Sequence, residues 1–174
     1  MDTLPPAVSD KIRSYLTGIT LNCVEPRNTV LGMWRFRYDT HEITINNDLS
    51  GVQFMLILVH EIAHARIWDL YADTVKLHSK EWKDQYRQLM LPLLQGYFDT
   101  YTEKLIKQHM VNPPATTRCS NSLKRLIEPD IKLLSGVPIG SSFKIKDGRK
   151  FVKLCRRRVN WECSDCMGKI FIVS

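Results

Sequence analysis

The chain has 174 residues, 44% hydrophobic and 25% charged, with five cysteines and a net charge of +7 at neutral pH. That length holds one ordinary domain with a true core, or one domain with a small appendage, and the composition excludes a disordered, collagen-like or low-complexity chain. The apolar run around Phe54 to Val59 is far short of the roughly 18 residues a membrane helix needs, so no membrane anchor is expected.

The first residues, Met1 to Pro6, lack a basic stretch followed by an apolar one, so a cytoplasmic location is the expectation. Cys23, Cys119, Cys155, Cys163 and Cys166 are too few, and odd in number, for a disulfide scaffold. In a reducing compartment they are thiols or metal ligands.

Asp10 to Leu16 reads as part of a short helix. Three segments of strand composition follow, Ile19 to Val24, Val30 to Arg37 and Glu42 to Asn46, the last in period-two alternation. Ser50 with Gln53 forms a capping-box pattern, which opens a helix that runs to about Tyr71 and is apolar on nearly every side. Such a helix belongs in the middle of a domain. Ser79 to Leu91 is amphipathic and should kink or end at Pro92. Thr102 to Met110 is helical again, and Asn112-Pro113-Pro114 breaks the pattern and marks a boundary.

Beyond a short helical candidate at Ser122 to Ile127, the period changes. Ser142 to Lys146 and Arg149 to Arg157 flank Asp147-Gly148, a two-residue hairpin signal, and Val159 to Cys163 and Lys169 to Val173 add two strands. From Ser141 to Ser174 nine Lys or Arg stand against three acids, so six of the seven net positive charges lie there. Such asymmetry points to a polyanion, nucleic acid first, or to a solvated basic face. Phe143, Phe151, Trp161 and Phe171 are expected mostly as the core of this small sheet. Lys153 and the consecutive Arg156, Arg157 and Arg158 are the candidates for phosphate contact, since three adjacent guanidinium groups cannot all face inward.

The central helix contains His60-Glu61-Ile62-Ala63-His64. Residues four apart share a helix face, so both imidazoles can meet one metal ion while Glu61 addresses a water beside it. A catalytic zinc site has three protein ligands and one open position. Ile67 and Leu70 stand where a metzincin would place Gly and His, which excludes that class. His78, Glu81, Asp69, Asp73 and, more remotely, Cys23 are the candidates for a third ligand, and His78 is favoured because imidazole suits zinc better than a lone carboxylate. Glu81 could orient an imidazole from behind, or be a solvated acid in the first turn of its helix. Tyr71 and Tyr86 are weak candidates for stabilising an oxyanion.

These residues resemble the SprT-like zinc metalloproteases, a family that includes the eukaryotic protease Spartan. The resemblance runs from Leu31-Gly32 through Ile43-Thr44-Ile45-Asn46 and Leu49 to His60-Glu61-Ile62-Ala63-His64-Ala65, then to His78-Ser79-Lys80-Glu81-Trp82. It extends to the tail, from Asn112-Pro113 to Cys119 and from Gly148-Arg149-Lys150-Phe151 onward. It implies a zinc-dependent peptidase associated with DNA, with His60, His64 and His78 as zinc ligands and Glu61 as the catalytic acid and base. Some members carry a four-cysteine zinc ribbon. Here Cys163-Ser164-Asp165-Cys166 is a lone CxxC pair, so one catalytic Zn2+ is expected and a second, structural zinc is not.

The expected architecture is α+β: a zincin-like metalloprotease domain over residues 1–112, with short strands packed on the HExxH helix and further helices. A connecting segment over 113–135 and a basic, ribbon-like antiparallel β unit over 136–174 complete it. The expected partners are protein substrates and DNA, single-stranded or junction-like. The rival readings are another HExxH metallohydrolase, such as a deformylase using Cys23, and a nucleic-acid-binding module with a structural or vestigial zinc site.

Overall fold

The computed structural model describes residues 4–49, 51–115, 134–145, 148–158 and 160–173. The fold is α+β and divides into two compact units, Met1–Pro129 and Asp130–Ser174. Most of the expected connecting segment, with Cys119 and the helical candidate Ser122 to Ile127, lies outside the described residues.

In the first unit α1 (Pro6–Tyr15) starts four residues before the expected Asp10. Pro6 is its first helical residue, where the missing N–H costs nothing and the fixed φ suits a helix. Three strands follow, β1 (Ile19–Val24), β2 (Gly32–Arg37) and β3 (Thr40–Asn46), in a mixed sheet of order β1-β3-β2. β1 runs parallel to β3, and β2 pairs with it antiparallel. The β2–β3 hairpin turns on Tyr38 and Asp39, at φ 50° and 53°. This is the primed turn that matches strand twist, made here without glycine.

Helix α2 (Gly51–Tyr71) is buried without a break from Phe54 to Ala65. Its apolar perimeter requires cover on every side. Ile43 and Ile45 of the sheet supply one flank. Val8 and Ile12 of α1 join the same core, as do Trp82, Leu93 and Leu94 of α3 (Lys80–Leu94) and Ile106 of α4 (Thr100–Val111). The expected capping residue Ser50 lies outside the described residues. At the other end Ala72, at φ 49°, donates its N–H to the Trp68 carbonyl at 2.8 Å and stops the helix.

Helix α3 does not stop at Pro92. It continues to Leu94, because the fully buried Leu93 and Leu94 hold its last turn in place despite the lost hydrogen bond. Helix α4 starts earlier than Thr102, because Asp99 accepts from the Tyr101 and Thr102 amides, both at 3.0 Å.

The second unit is a four-stranded antiparallel sheet in the order β4 (Ser142–Lys144), β5 (Lys150–Arg157), β6 (Asn160–Asp165), β7 (Ile170–Val173). Asp147 and Val159 fall outside the described residues, but Gly148 at φ 90° completes the first hairpin by donating to the Ile145 carbonyl at 2.9 Å. Phe151 is buried between Phe143 and Phe171, at centroid distances of 5.9 and 5.3 Å. These aromatics are core. Among the described residues no helix is long and apolar enough to cross a membrane.

Gly32 sets how closely β2 approaches α2. A Cβ added there would stand 2.6 Å from Ile57 Cγ2 and 3.0 Å from Glu61 Oε1. Gly32→Ala should therefore lower unfolding stability by about 1–3 kcal/mol through overpacking, measured by denaturant titration. A variant as stable as the parent would show that this approach is not tight.

Candidate metal centre

His60 and His64 project from one face of α2, as their four-residue spacing requires. His78 arrives from the connection to α3. It is held at φ 57°, a left-handed conformation that costs a non-glycine residue roughly 1–2 kcal/mol. Ser79 then caps α3, accepting from the Trp82 amide at 3.4 Å. The strained residue thus stands immediately before the helix start.

The three Nε2 atoms form a near-equilateral triangle: His60 to His78 3.1 Å, His64 to His78 3.1 Å, His60 to His64 3.3 Å. All three pairs cannot be hydrogen bonds, because a neutral imidazole has one N–H and must point it one way. A tetrahedral ion with bonds of 2.0–2.1 Å holds its nitrogens about 3.3 Å apart. The donor set therefore fits a borderline-soft divalent cation such as zinc.

Electrostatics agree with this geometry. Burial pushes His60 down to about 2, helped by the neighbouring His64, His78 and His109, and burial with His78 pushes His64 down to about 3. His78 is lowered by burial and by the Lys83 ammonium. All three rings are neutral at pH 7 and offer lone pairs. Beneath them lies the fully buried Trp82, with its ring centroid 4.5 Å from His60, 4.7 Å from His78 and 5.2 Å from His64.

Glu61 is buried, and burial raises its carboxyl to about 7, against the downward pull of the Trp34 backbone N–H and the Arg27 guanidinium. It shares an open cleft with the triad. Thr29, Val30, the start of β2, Leu77 and Ala115 line it together with the three histidines and Glu61.

The other sequence candidates are placed elsewhere. Among the described residues Asp69, Asp73, Glu81 and Cys23 do not join the triad. Asp69 is engaged with His41, at 2.7 Å between Oδ1 and Nε2. Glu81 is exposed, and its carboxylate accepts from the Ser79 hydroxyl and its own amide at the start of α3, which lowers its pKa. Tyr86 stacks on Trp82 at 12° between planes, and neither it nor Tyr71 lines the cleft.

Lys153 corrects an expectation. It is 2% exposed, with Nζ donating to the Leu134 and Val137 carbonyls at 2.8 and 2.6 Å and lying 3.3 Å from the Trp161 ring centre. It holds the sheet to the turn before it and presents nothing to a phosphate. Its place on the buried face was signalled by parity, two residues after Phe151 on one strand.

Arg156, Arg157 and Arg158 are exposed, although Arg157 approaches Glu162 at 3.3 Å. Cys155 and Cys166 are exposed thiols, and Cys163 is buried. Sequence reasoning missed Trp34 and His41, whose hydrogen bond at 3.0 Å lies beside the site. The tryptophan two residues after the close-approach glycine was the available signal. Comparison with protein-family models, curated proteins and solved structures gives no match.

The buried imidazoles set an acid limit for the metal-free protein. With folded values near 2 and 3 against an ordinary 6.5, His60 and His64 bind protons only on unfolding, so the stability they leave intact above pH 6.5 is lost as pH falls. Glu61 acts oppositely, contributing below its ordinary 4.5 and losing that contribution as pH rises towards 7. Two imidazoles outweigh one carboxyl near pH 5. Chelator-treated protein should then lose on the order of 1 kcal/mol per pH unit between pH 6 and 5 in urea unfolding. A flat profile would mean that these rings are not buried as neutral groups.

Proposed function

We propose that the chain is a zinc metallopeptidase of the SprT-like kind, cleaving peptide bonds in proteins associated with DNA. The observation that carries the reading is the convergence of three neutral imidazole nitrogens in an open cleft that also holds a buried carboxyl group. A structural zinc site is closed by a fourth protein ligand and has no use for such an acid. Among the described residues no fourth His, Cys, Asp or Glu joins the three histidines. The His78-Ser79-Lys80-Glu81-Trp82 block, with its His78 in the triad and its Trp82 beneath it, supports the family likeness and a zincin-like reading of the first unit.

His60, His64 and His78 would hold the ion. When bound, zinc supplies a Lewis acid for the scissile carbonyl and makes a water acidic enough to attack at neutral pH. Glu61 receives the proton of the attacking water on its carboxylate and passes it to the leaving amine nitrogen. Burial raises its affinity for the proton, the direction that helps a carboxylate take a proton up before handing it on. The Trp34 N–H fixes the carboxylate while it does so.

The DNA association rests on the basic C-terminal unit. Arg157 and Arg158 line a shallow concavity with Asn160 and Ile172, and Arg156 is exposed beside them. Guanidinium forks there would meet phosphates of a single-stranded or junction-like DNA, and binding would be salt-sensitive and slight in sequence preference.

Purified protein should contain about one zinc per chain. His78→Ala should lose metal affinity, while Glu61→Gln should keep zinc and fold but cleave no casein-like substrate, with or without DNA. Full turnover by Glu61→Gln would sink the assigned chemistry. DNA binding by a zinc-loaded wild type that never cleaves would favour the binding-module reading instead.

Replacing Arg156, Arg157 and Arg158 together by Ala should weaken DNA binding and flatten its salt dependence, by about 0.7 in log-log slope per lost single-strand phosphate contact. An unchanged slope in fluorescence titrations would make these arginines a solvated face only.

A further inference from the structure

Trp34 touches both halves of the site. Its backbone N–H faces the Glu61 carboxylate closely enough to pull that group's pKa down. Its indole lies nearly parallel to the His64 ring, with 18° between planes and centroids 6.0 Å apart. The same indole is pinned from behind, since Nε1–H donates to His41 Nδ1 at 3.0 Å and His41 Nε2 meets Asp69 Oδ1 at 2.7 Å.

The tautomer follows from the donors. Indole nitrogen only donates, so His41 Nδ1 is bare and its proton sits on Nε2, directed at Asp69. Asp69 belongs to α2, five residues after His64, while His41 is on β3 and Trp34 on β2. Two hydrogen bonds therefore tie the ligand-bearing helix to both strands, and Trp34 closes the circuit on that helix by laying its indole along the His64 ring and turning its amide to Glu61. Phe36 and Trp68 wedge the circuit, with Phe36 4.9 Å from His41 and Trp68 5.6 Å from Trp34 between ring centres.

A purely apolar packing would not need this circuit. A phenylalanine at position 34 would cover His64 without asking for an acceptor, and a histidine–carboxylate pair whose acid is 47% exposed adds little net stability. What a fully satisfied polar chain does supply is a single orientation.

We propose that Trp34 is a positioning residue, locked in one rotamer by His41 and Asp69, so that one side chain and its own amide set the His64 ring plane and the Glu61 carboxylate together. This rests on the triad being a catalytic metal centre. The coupling matters because a displacement of about 1 Å at a reacting group can cost around a hundredfold in rate.

The test compares wild type with Trp34→Ala, Trp34→Phe, His41→Phe, Asp69→Ala and Asp69→Asn. It measures zinc affinity by chelator competition, kcat and KM, and the indole N–H resonance of Trp34 in 15N-labelled protein. Trp34→Ala should lower zinc affinity by about 10–100-fold. Trp34→Phe and His41→Phe keep the backbone N–H and a filled core, and should reduce kcat while leaving KM nearly unchanged. Asp69→Ala should shift the Trp34 resonance and lower kcat, and Asp69→Asn should recover most of both, because its amide oxygen still accepts from His41.

Trp34→Phe and His41→Phe with wild-type kcat and zinc affinity but a lower melting temperature would overturn the proposal and leave the circuit a core device. A wild type that binds zinc but cleaves nothing would defeat the peptidase reading alone, and zinc affinity with the resonance would still decide for or against Trp34. A wild type that binds no zinc would overturn both.

Discussion

Three uncharged nitrogen atoms aimed at one another across 3.1–3.3 Å form an arrangement that the protein interior does not favour by itself. Each lone pair wants a donor, and the three rings together cannot supply enough of them. Burial has removed the simplest remedy, because protonating His60 or His64 would place charge in a dry site. A cation shared by the three relieves the conflict.

The surrounding fold makes sense as support for that arrangement. α2 is apolar on every side because it runs through the middle of its unit, and it can hold two histidines and a glutamate there only if each has a use or a partner. Gly32 lets β2 come close enough for the Trp34 amide to reach Glu61. The left-handed turn at His78 stores backbone strain where the chain must bend back to complete the triangle, and the Ser79 cap and buried Trp82 directly after it hold that bend. In the C-terminal unit a buried ammonium, that of Lys153, joins the sheet to the preceding turn through two carbonyls.

The parts legible in the sequence were those fixed by short-range pattern. The strand-like composition of Ile19–Val24, the alternation at Ile43 and Ile45, and the HExxH spacing on an apolar helix depend on neighbours within one or two turns, and each reappears in place. His78 was reached through the chemistry of zinc ligands and a connection long enough to return. Contacts between distant residues were not legible. The Trp34–His41–Asp69 circuit joins three elements across 35 residues, and nothing local in Asp69 says that it faces a histidine and not a metal. Tyr38-Asp39 forms a primed turn without the usual glycine, and α3 passes through Pro92 because tertiary packing outweighs the local breaker.

The central claim is that His60, His64 and His78 form one metal site with a position left open. Cobalt(II) substitution followed by visible absorption tests it most directly, since cobalt takes the place of zinc and reports its own coordination. The account predicts one equivalent of cobalt per chain, with the intense visible bands of a low-coordinate, three-nitrogen site that change when a small anionic ligand is added and vanish in His64→Ala. Weak octahedral bands, or bands that persist in His64→Ala, would contradict it.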